Sequence, residues 1–162
     1  MGDRCGYCLT SALNTGIPLE LEHIVPVARA GATEESNLWM SCVSCNRRKA
    51  DRIAAIDPLT EEPVSLFNPR AERWSEHFAW STDGALVIGL TATGRATVAA
   101  LDLNHADRVA ARRRWVLVGW HPPPASRPSP AQVDARIGAR WSLRRRCYKI
   151  GYVSELSVRR PL

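Results

Sequence analysis

The sequence predicts a small α+β protein assembled around two metal sites, and three features of the chain lead to this prediction. Residues 19–25 alternate and end in β-branched side chains, which is typical of a strand, whereas residues 42–50 have the pattern of a helix. Two Cys-x-x-Cys pairs enclose the strand. An Asp-Gly turn between two further apolar segments predicts a β-hairpin later in the chain.

The cysteine pairs have the spacing of a tetrahedral zinc site, in which each pair binds one side of the ion. They are Cys5-x-x-Cys8 and Cys42-x-x-Cys45. Disulfide bonds are the alternative. No apolar leader precedes Cys5, so we expect a cytoplasmic protein whose thiols stay reduced and available to a metal. Four protein ligands leave no open coordination position, so the predicted zinc is structural rather than catalytic.

The predicted strand and helix have clear limits in the sequence. Pro26 would stop the strand or confine it to a sheet edge, because proline has no N–H to donate. The helix would begin near Cys42, where Ser41 or Ser44 could act as its N-cap. Asn46 and Lys49 are three residues apart and would therefore share one face of that helix.

Glu22 on the strand and Asn46 on the helix would offer a carboxylate and an amide oxygen to a second cation. Oxygen ligands with open positions suit Mg²⁺ or Mn²⁺, which keep water molecules and bind phosphate. His23, whose ordinary pKa is about 6.5, could deprotonate a water molecule near neutral pH. Neighbouring residues of a flat strand point to opposite faces, so Glu22 and His23 can serve one phosphate only if the strand twists or ends there.

Together these residues resemble the HNH endonuclease family and its ββα-metal (His-Me finger) fold. The resemblance rests on motifs that occur in this order: Cys-x-x-Cys, Glu-His-Ile-Val-Pro at 22–26, Gly31, Asn37-Leu38, and Cys-x-x-Cys-Asn-x-x-Lys at 42–49. The third letter of the family motif is asparagine here, as in the HNH domain of RNA-guided CRISPR nucleases. Glu22 departs from the aspartate that is common in the family.

The resemblance implies a role for each motif position. His23 would be the general base, and Glu22 and Asn46 would bind the catalytic Mg²⁺ or Mn²⁺. Asn37 would hold the loop between the strands and help to orient the base. Lys49 would face DNA phosphate. The neighbouring basic residues expected to do the same are Arg47, Arg48 and Arg52.

A second region, residues 57–121, is predicted to pack on the core and resembles the extension that follows the HNH core in many bacterial members. Its predicted elements are strands at 76–81 and 85–90, a helix at 94–103 capped by Thr91 or Thr93, and a helix at 106–118 capped by Asn104. The sequence leaves its role open among a packed cap, a dimer surface and a DNA-contact lobe. The arginines of that lobe would be Arg108, Arg112, Arg113 and Arg114.

Charge divides the chain unevenly. The formal net charge is +6, and residues 131–162 account for all of it with eight basic and two acidic side chains, so the core at 1–56 is not a basic groove overall. A proline-rich linker at 122–130 precedes this tail, which we expect to be disordered. The tail either adds nonspecific DNA affinity or has no role. No apolar run reaches the roughly 20 residues of a membrane span.

These features predict a metal-dependent HNH endonuclease that hydrolyses DNA phosphodiester bonds, with structural Zn²⁺ and catalytic Mg²⁺ or Mn²⁺. The alternative is a catalytically inactive zinc-knuckle module that binds DNA or a protein. Such a module has no need of Glu22, His23, Asn37 and Asn46 together, which favours the enzyme.

Overall fold

The computed structural model describes residues 3–124, in which the chain forms three two-stranded antiparallel sheets and five α-helices. The elements are α1 (Ala12–Thr15), β1 (Glu20–His23), β2 (Leu38–Ser41), α2 (Val43–Lys49), β3 (Ala54–Ile56), β4 (Pro63–Ser65), α3 (Trp74–His77), β5 (Phe78–Trp80), β6 (Val87–Gly89), α4 (Ala92–Ala100) and α5 (Ala106–Leu117). None of these helices is long and apolar enough to cross a bilayer. The basic tail and most of the predicted linker lie outside the described residues.

Strands β1 and β2 form an antiparallel hairpin, and α2 follows β2 directly. The register pairs Glu22 with Trp39 and His23 with Leu38. Strand β1 is shorter than the predicted strand at 19–25, because the chain leaves the ladder before Pro26. Mixed helices and small sheets confirm the predicted α+β class.

Helix α2 begins without a side-chain cap, so the prediction that Ser41 or Ser44 caps it was wrong. Cys42 occupies the N-cap position in an extended conformation, and no side chain there accepts a hydrogen bond. The Ser41 hydroxyl instead donates to the carbonyl of Cys42 at 3.3 Å and lies 3.8 Å from the sulfur of Cys5. The N-cap position is therefore used to direct a cysteine sulfur inward.

The extension contains the predicted hairpin and both predicted helices, with shifted limits. Residues 74–77 form the short helix α3, and the strand that was expected from residue 76 starts only at Phe78. Thr91 caps α4 as predicted, because its hydroxyl accepts the N–H of Gly94 at 3.0 Å. The hairpin of β3 and β4 was missed, since strands of three residues carry too little alternation to be recognised.

The prediction that Asn104 caps α5 was wrong, because the N-cap residue of this helix is His105. The side-chain amide of Asn104 instead binds the backbone of Val87. Its oxygen accepts the N–H of Val87 and its nitrogen donates to the carbonyl of Val87, both at 2.9 Å. Asn104 therefore attaches the segment before α5 to the edge of β6, and this tertiary contact overrides its local capping preference.

One hydrophobic core serves both the cysteine knuckle and the extension. The buried cluster includes Cys5, Tyr7, Cys8 and Cys45 from the first region, and Leu66, Phe67, Phe78, Trp80, Val87, Leu101 and Leu103 from the second. Aromatic rings meet edge to face at 5.0 Å between Phe67 and Phe78. The indole N–H of Trp74 donates to the carbonyl of Tyr7 at 2.9 Å. The extension thus packs directly against the metal-binding turn.

Candidate functional site

Four cysteine sulfurs meet in the core at the junction of the first turn and α2. The sulfurs of Cys5, Cys8, Cys42 and Cys45 all lie within 4.8 Å of one another. The Sγ atoms of Cys8 and Cys42 are 3.7 Å apart. Sulfurs bound about 2.3 Å from a tetrahedral zinc are separated by about 3.8 Å, so this geometry fits a four-cysteine zinc site.

The chain builds this cluster from two tight local turns. Leu9 N–H donates to the carbonyl of Cys5 at 2.9 Å, and Cys5 N–H donates to that of Thr10 at 3.0 Å, which folds the first pair back on itself. The second pair lies on the first turn of α2. Burial raises the pKa of the Cys5 and Cys45 thiols, so a cation is needed to hold all four sulfurs as thiolates.

An arginine from the extension also reaches the sulfurs. Arg108 Nη2 donates to Cys45 Sγ at 2.8 Å and lies 3.8 Å from Cys42 Sγ. No local pattern could have indicated this contact, because Arg108 follows Cys45 by 63 residues. The arginine set proposed for a DNA-contact lobe is divided: Arg108 and Arg112 point into the protein, whereas Arg113 and Arg114 are exposed.

His23 ends β1 with its ring half-buried. Ring nitrogen Nε2 lies 2.9 Å from the hydroxyl of Thr33, which stands in the loop between β1 and β2. The backbone carbonyl of His23 accepts from Lys49 Nζ at 2.8 Å. Both the ring and the main chain of His23 are therefore held. Thr33 was missed in the sequence, since a single threonine in a polar loop gives no signal.

Asn37 fastens the loop that follows His23. Its Oδ1 accepts the N–H of Val25 at 2.8 Å, and its Nδ2 donates to the carbonyls of Val25 and Ala32, both at 2.9 Å. Gly31 has to be a glycine, because a Cβ there would lie 1.8 Å from the carbonyl oxygen of Val25. The two ends of the loop are thereby brought together beside the histidine.

Glu22 points to the opposite side, into the core, with only 4% of its surface exposed. Its Oε2 accepts from the hydroxyl of Tyr7 at 2.7 Å, and Lys49 Nζ lies 2.5 Å from its Oε1 as a charge pair. Burial and the Glu22 carboxylate raise the pKa of Tyr7 far above its usual range, so the phenol remains a donor. Glu22 is surrounded by protein groups, and a cation would have to displace Lys49 to reach Oε1.

Asn46 lies one helical turn before Lys49 and faces a different carboxylate. Its Nδ2 donates to Oε2 of Glu20 at 2.8 Å. Glu20 is exposed, and it lies two residues from Glu22 on the same side of β1. An amide and a carboxylate with access to solvent therefore stand side by side at the start of the hairpin.

Residues 5–52 match the family model described as HNH endonuclease. The chain contains an HNH domain. No curated protein and no solved structure matches the chain. The family match ends shortly after α2 and covers the four cysteines, His23, Asn37 and Asn46.

The basic residues of the HNH domain differ in their exposure and in the groups they contact. Arg47 is exposed, Arg48 pairs with Asp102 at 2.9 Å, and Arg52 donates to the carbonyl of Ala100 at 3.0 Å. Lys49 was predicted to face DNA phosphate, but the structure disagrees, because its side chain is only 2% exposed and its amine binds groups of β1. Lys49 instead joins α2 to the hairpin.

Replacing Cys42 with serine is expected to abolish zinc binding and unfold the HNH domain. A structural zinc site of this type contributes on the order of 10 kcal/mol to folding, and a hydroxyl does not replace the thiolate. Zinc content and circular dichroism would measure the loss, with Cys147→Ser as the control because Cys147 belongs to neither Cys-x-x-Cys pair. A folded, zinc-free Cys42→Ser protein would contradict the assignment.

Replacing Lys49 with methionine is expected to lower the free energy of unfolding by about 3 kcal/mol or more, because the carboxylate of Glu22 would be left buried without a cation. Denaturant titration would measure the change. The partly exposed pair of Arg48 and Asp102 gives a matched control, since Arg48→Met should cost at most about 1 kcal/mol. Adding Glu22→Gln to Lys49→Met should recover part of the loss, and strictly additive effects would show that the two side chains do not interact.

Proposed function

We propose that the HNH domain is a metal-dependent endonuclease that hydrolyses DNA phosphodiester bonds, with His23 as the general base. The observation that carries this proposal is the fixed histidine: Thr33 holds its ring at 2.9 Å, and Asn37 ties together the loop from which Thr33 comes. A domain used only for binding gains nothing from a solvent-accessible histidine held in this way. The family match supports a nuclease-type domain.

We assign His23 the tautomer that donates to Thr33, because a hydroxyl that donated to Nε2 would leave the proton on Nδ1 and no ring nitrogen free to accept one. When Nε2–H donates to the Thr33 hydroxyl, the lone pair of the neutral imidazole is on Nδ1. Nδ1 then takes a proton from the attacking water as its oxygen bonds to phosphorus and the P–O bond to the leaving oxygen breaks. General base catalysis of this kind contributes about 10²–10⁴ in rate.

The donor set on the opposite face of β1 from the His23 ring suits a hard divalent cation such as Mg²⁺ or Mn²⁺. Asn46 would hold it through its amide oxygen, together with the carboxylates of β1: Glu20 already contacts Asn46, and Glu22 becomes available if Lys49 withdraws. The ion, when bound, would stabilise the negative charge that develops on the phosphate. The amide nitrogen of Asn46 is the atom that faces Glu20, and among residues 3–124 no group donates a hydrogen bond to the amide oxygen.

Contact with DNA would come from the exposed edge of α2. Arg47 is exposed and follows Asn46 directly, so its guanidinium can bind a backbone phosphate near the cleaved bond. Arg48 and Arg52 retain charge at the surface while they contact the extension. Such contacts provide affinity without reading the base sequence.

A binding module without catalysis is the second candidate, and one observation favours it. The Glu22 carboxylate is paired with Lys49 and accepts a hydrogen bond from Tyr7, which is an arrangement that holds together without a catalytic cation. In that case the HNH domain would bind DNA through its arginines and zinc would serve the fold alone.

Replacing His23 with alanine is expected to reduce cleavage of plasmid DNA by at least about 10²-fold, because the water molecule loses its base. The measurement compares nicking by wild type and variant with Mg²⁺, with Mn²⁺ and with EDTA. His105→Ala is the control, since His105 is a partly exposed histidine at the start of α5, outside the HNH domain. Equal cleavage by wild type and His23→Ala would exclude His23 as the base, and DNA binding without any cleavage would favour the second candidate.

Replacing Asn46 with alanine is expected to weaken Mn²⁺ binding and cleavage about tenfold or more while the zinc content stays the same. The reason is that the amide oxygen is lost from the proposed cation site and the cysteine cluster is untouched. Manganese binding can be followed by electron paramagnetic resonance and zinc by elemental analysis. Unchanged Mn²⁺ affinity in a folded variant would remove Asn46 from the proposed ligand set.

A further inference from the structure

A four-cysteine zinc centre poses a charge problem in this protein. Four thiolates around one Zn²⁺ leave two negative charges uncompensated. The sulfurs of Cys5, Cys8 and Cys45 belong to fully buried residues, so water cannot provide the compensation. A buried charge is tolerated when it is paired and hydrogen-bonded. The centre therefore needs cationic donors from elsewhere in the chain.

Two arginines of α5 point into the protein, and one of them, Arg108, reaches the cysteine sulfurs. Arg108 Nη2 donates to Cys45 at 2.8 Å, and its Nη1 donates to the carbonyls of Leu101 and Asp102 at 3.2 and 3.3 Å, which fixes the plane of the guanidinium. Arg112, one turn later, is 1% exposed and donates to the carbonyls of Leu103 and Ala85 at 2.7 and 3.0 Å. Among residues 3–124 neither guanidinium forms an ion pair with a carboxylate.

We propose that Arg108 is a positioning residue of the zinc centre: it donates to the thiolate of Cys45, offsets part of the charge of the cluster, and slows the loss of zinc. Hydrogen bonds to metal ligands orient them and typically change metal affinity 10- to 100-fold. The guanidinium of an arginine keeps its charge in proteins even when it is buried. Arg108 therefore stays positive beside the sulfurs.

This assignment gives the extension a function. The HNH domain provides all four sulfurs, and the extension provides the donor that satisfies one of them. The extension also packs Phe78, Trp80 and Leu101 into the same core. Helix α5 thus contacts the proposed metal ligands through the side chain of Arg108. The proposal depends on the zinc centre and is independent of whether the domain cleaves DNA.

The test compares Arg108→Gln, Arg108→Lys and the control Arg114→Gln in the zinc-loaded full chain. Arg114 lies on the same helix and is exposed. Zinc release to an excess of a colorimetric chelator is expected to be about tenfold or more faster in Arg108→Gln than in the control, and intermediate in Arg108→Lys, which keeps the charge but not the planar fork. Circular dichroism before chelation establishes that each variant is folded.

A second readout separates the hydrogen bond from general stability. In protein loaded with Co²⁺, the sulfur-to-cobalt charge-transfer band is expected to move to lower energy in Arg108→Gln, because the thiolate loses its donor, and to stay in place in Arg114→Gln. Equal release rates and equal bands in the two glutamine variants would overturn the proposal. If Arg108→Gln fails to take up Co²⁺, Arg108→Lys decides: recovered uptake supports the charge role, and failure as complete as that of glutamine assigns Arg108 to packing alone.

Discussion

The meeting of four cysteine sulfurs is the constraint on which the rest of this structure depends. Two of them lie in the first turn and two at the start of α2, so the cluster fixes that helix against the turn, and the turn is attached to β2 by the bond from Gly6 N–H to the carbonyl of Met40. Asn46 and Lys49 lie on the same helix, so the position of that helix determines where their side chains bind. A metal centre with no catalytic role of its own can in this way set the geometry of the candidate catalytic residues.

Two separate polar networks lie on the two sides of β1, one around His23 and one around Glu22. On one side, Asn37 satisfies the backbone of the loop and Thr33 holds His23, which gives an accessible and oriented ring. On the other side, Lys49 joins the carboxylate of Glu22 to the carbonyl of His23. The alternation of a strand makes this division inevitable, because adjacent side chains leave on opposite faces. Any cation at Glu22 competes with a lysine already in place.

The size of the HNH domain explains why the extension shares its core. The family match spans residues 5–52, and a segment of this length buries too little apolar surface to be stable alone without a metal or a partner. Aromatic residues of β5 and leucines after α4 complete the core around Cys5, Tyr7 and Cys8. Arg48 and Arg52 add polar contacts between α2 and the end of α4.

The sequence by itself determined the motif chemistry and the local elements: the two cysteine pairs, the strand before Pro26, the helix after Cys42, and the cap at Thr91. These follow from spacing and local preference, which act over a few residues. Tertiary structure decided which groups meet. It turned Lys49 inward, placed Glu20 rather than Glu22 against Asn46, brought Thr33 to His23, and aimed Arg108 at a sulfur 63 positions away. Those outcomes depend on burial and on the pairing of charges across elements. A local segment contains only one partner of each such contact, so its sequence does not show which residue the partner will be.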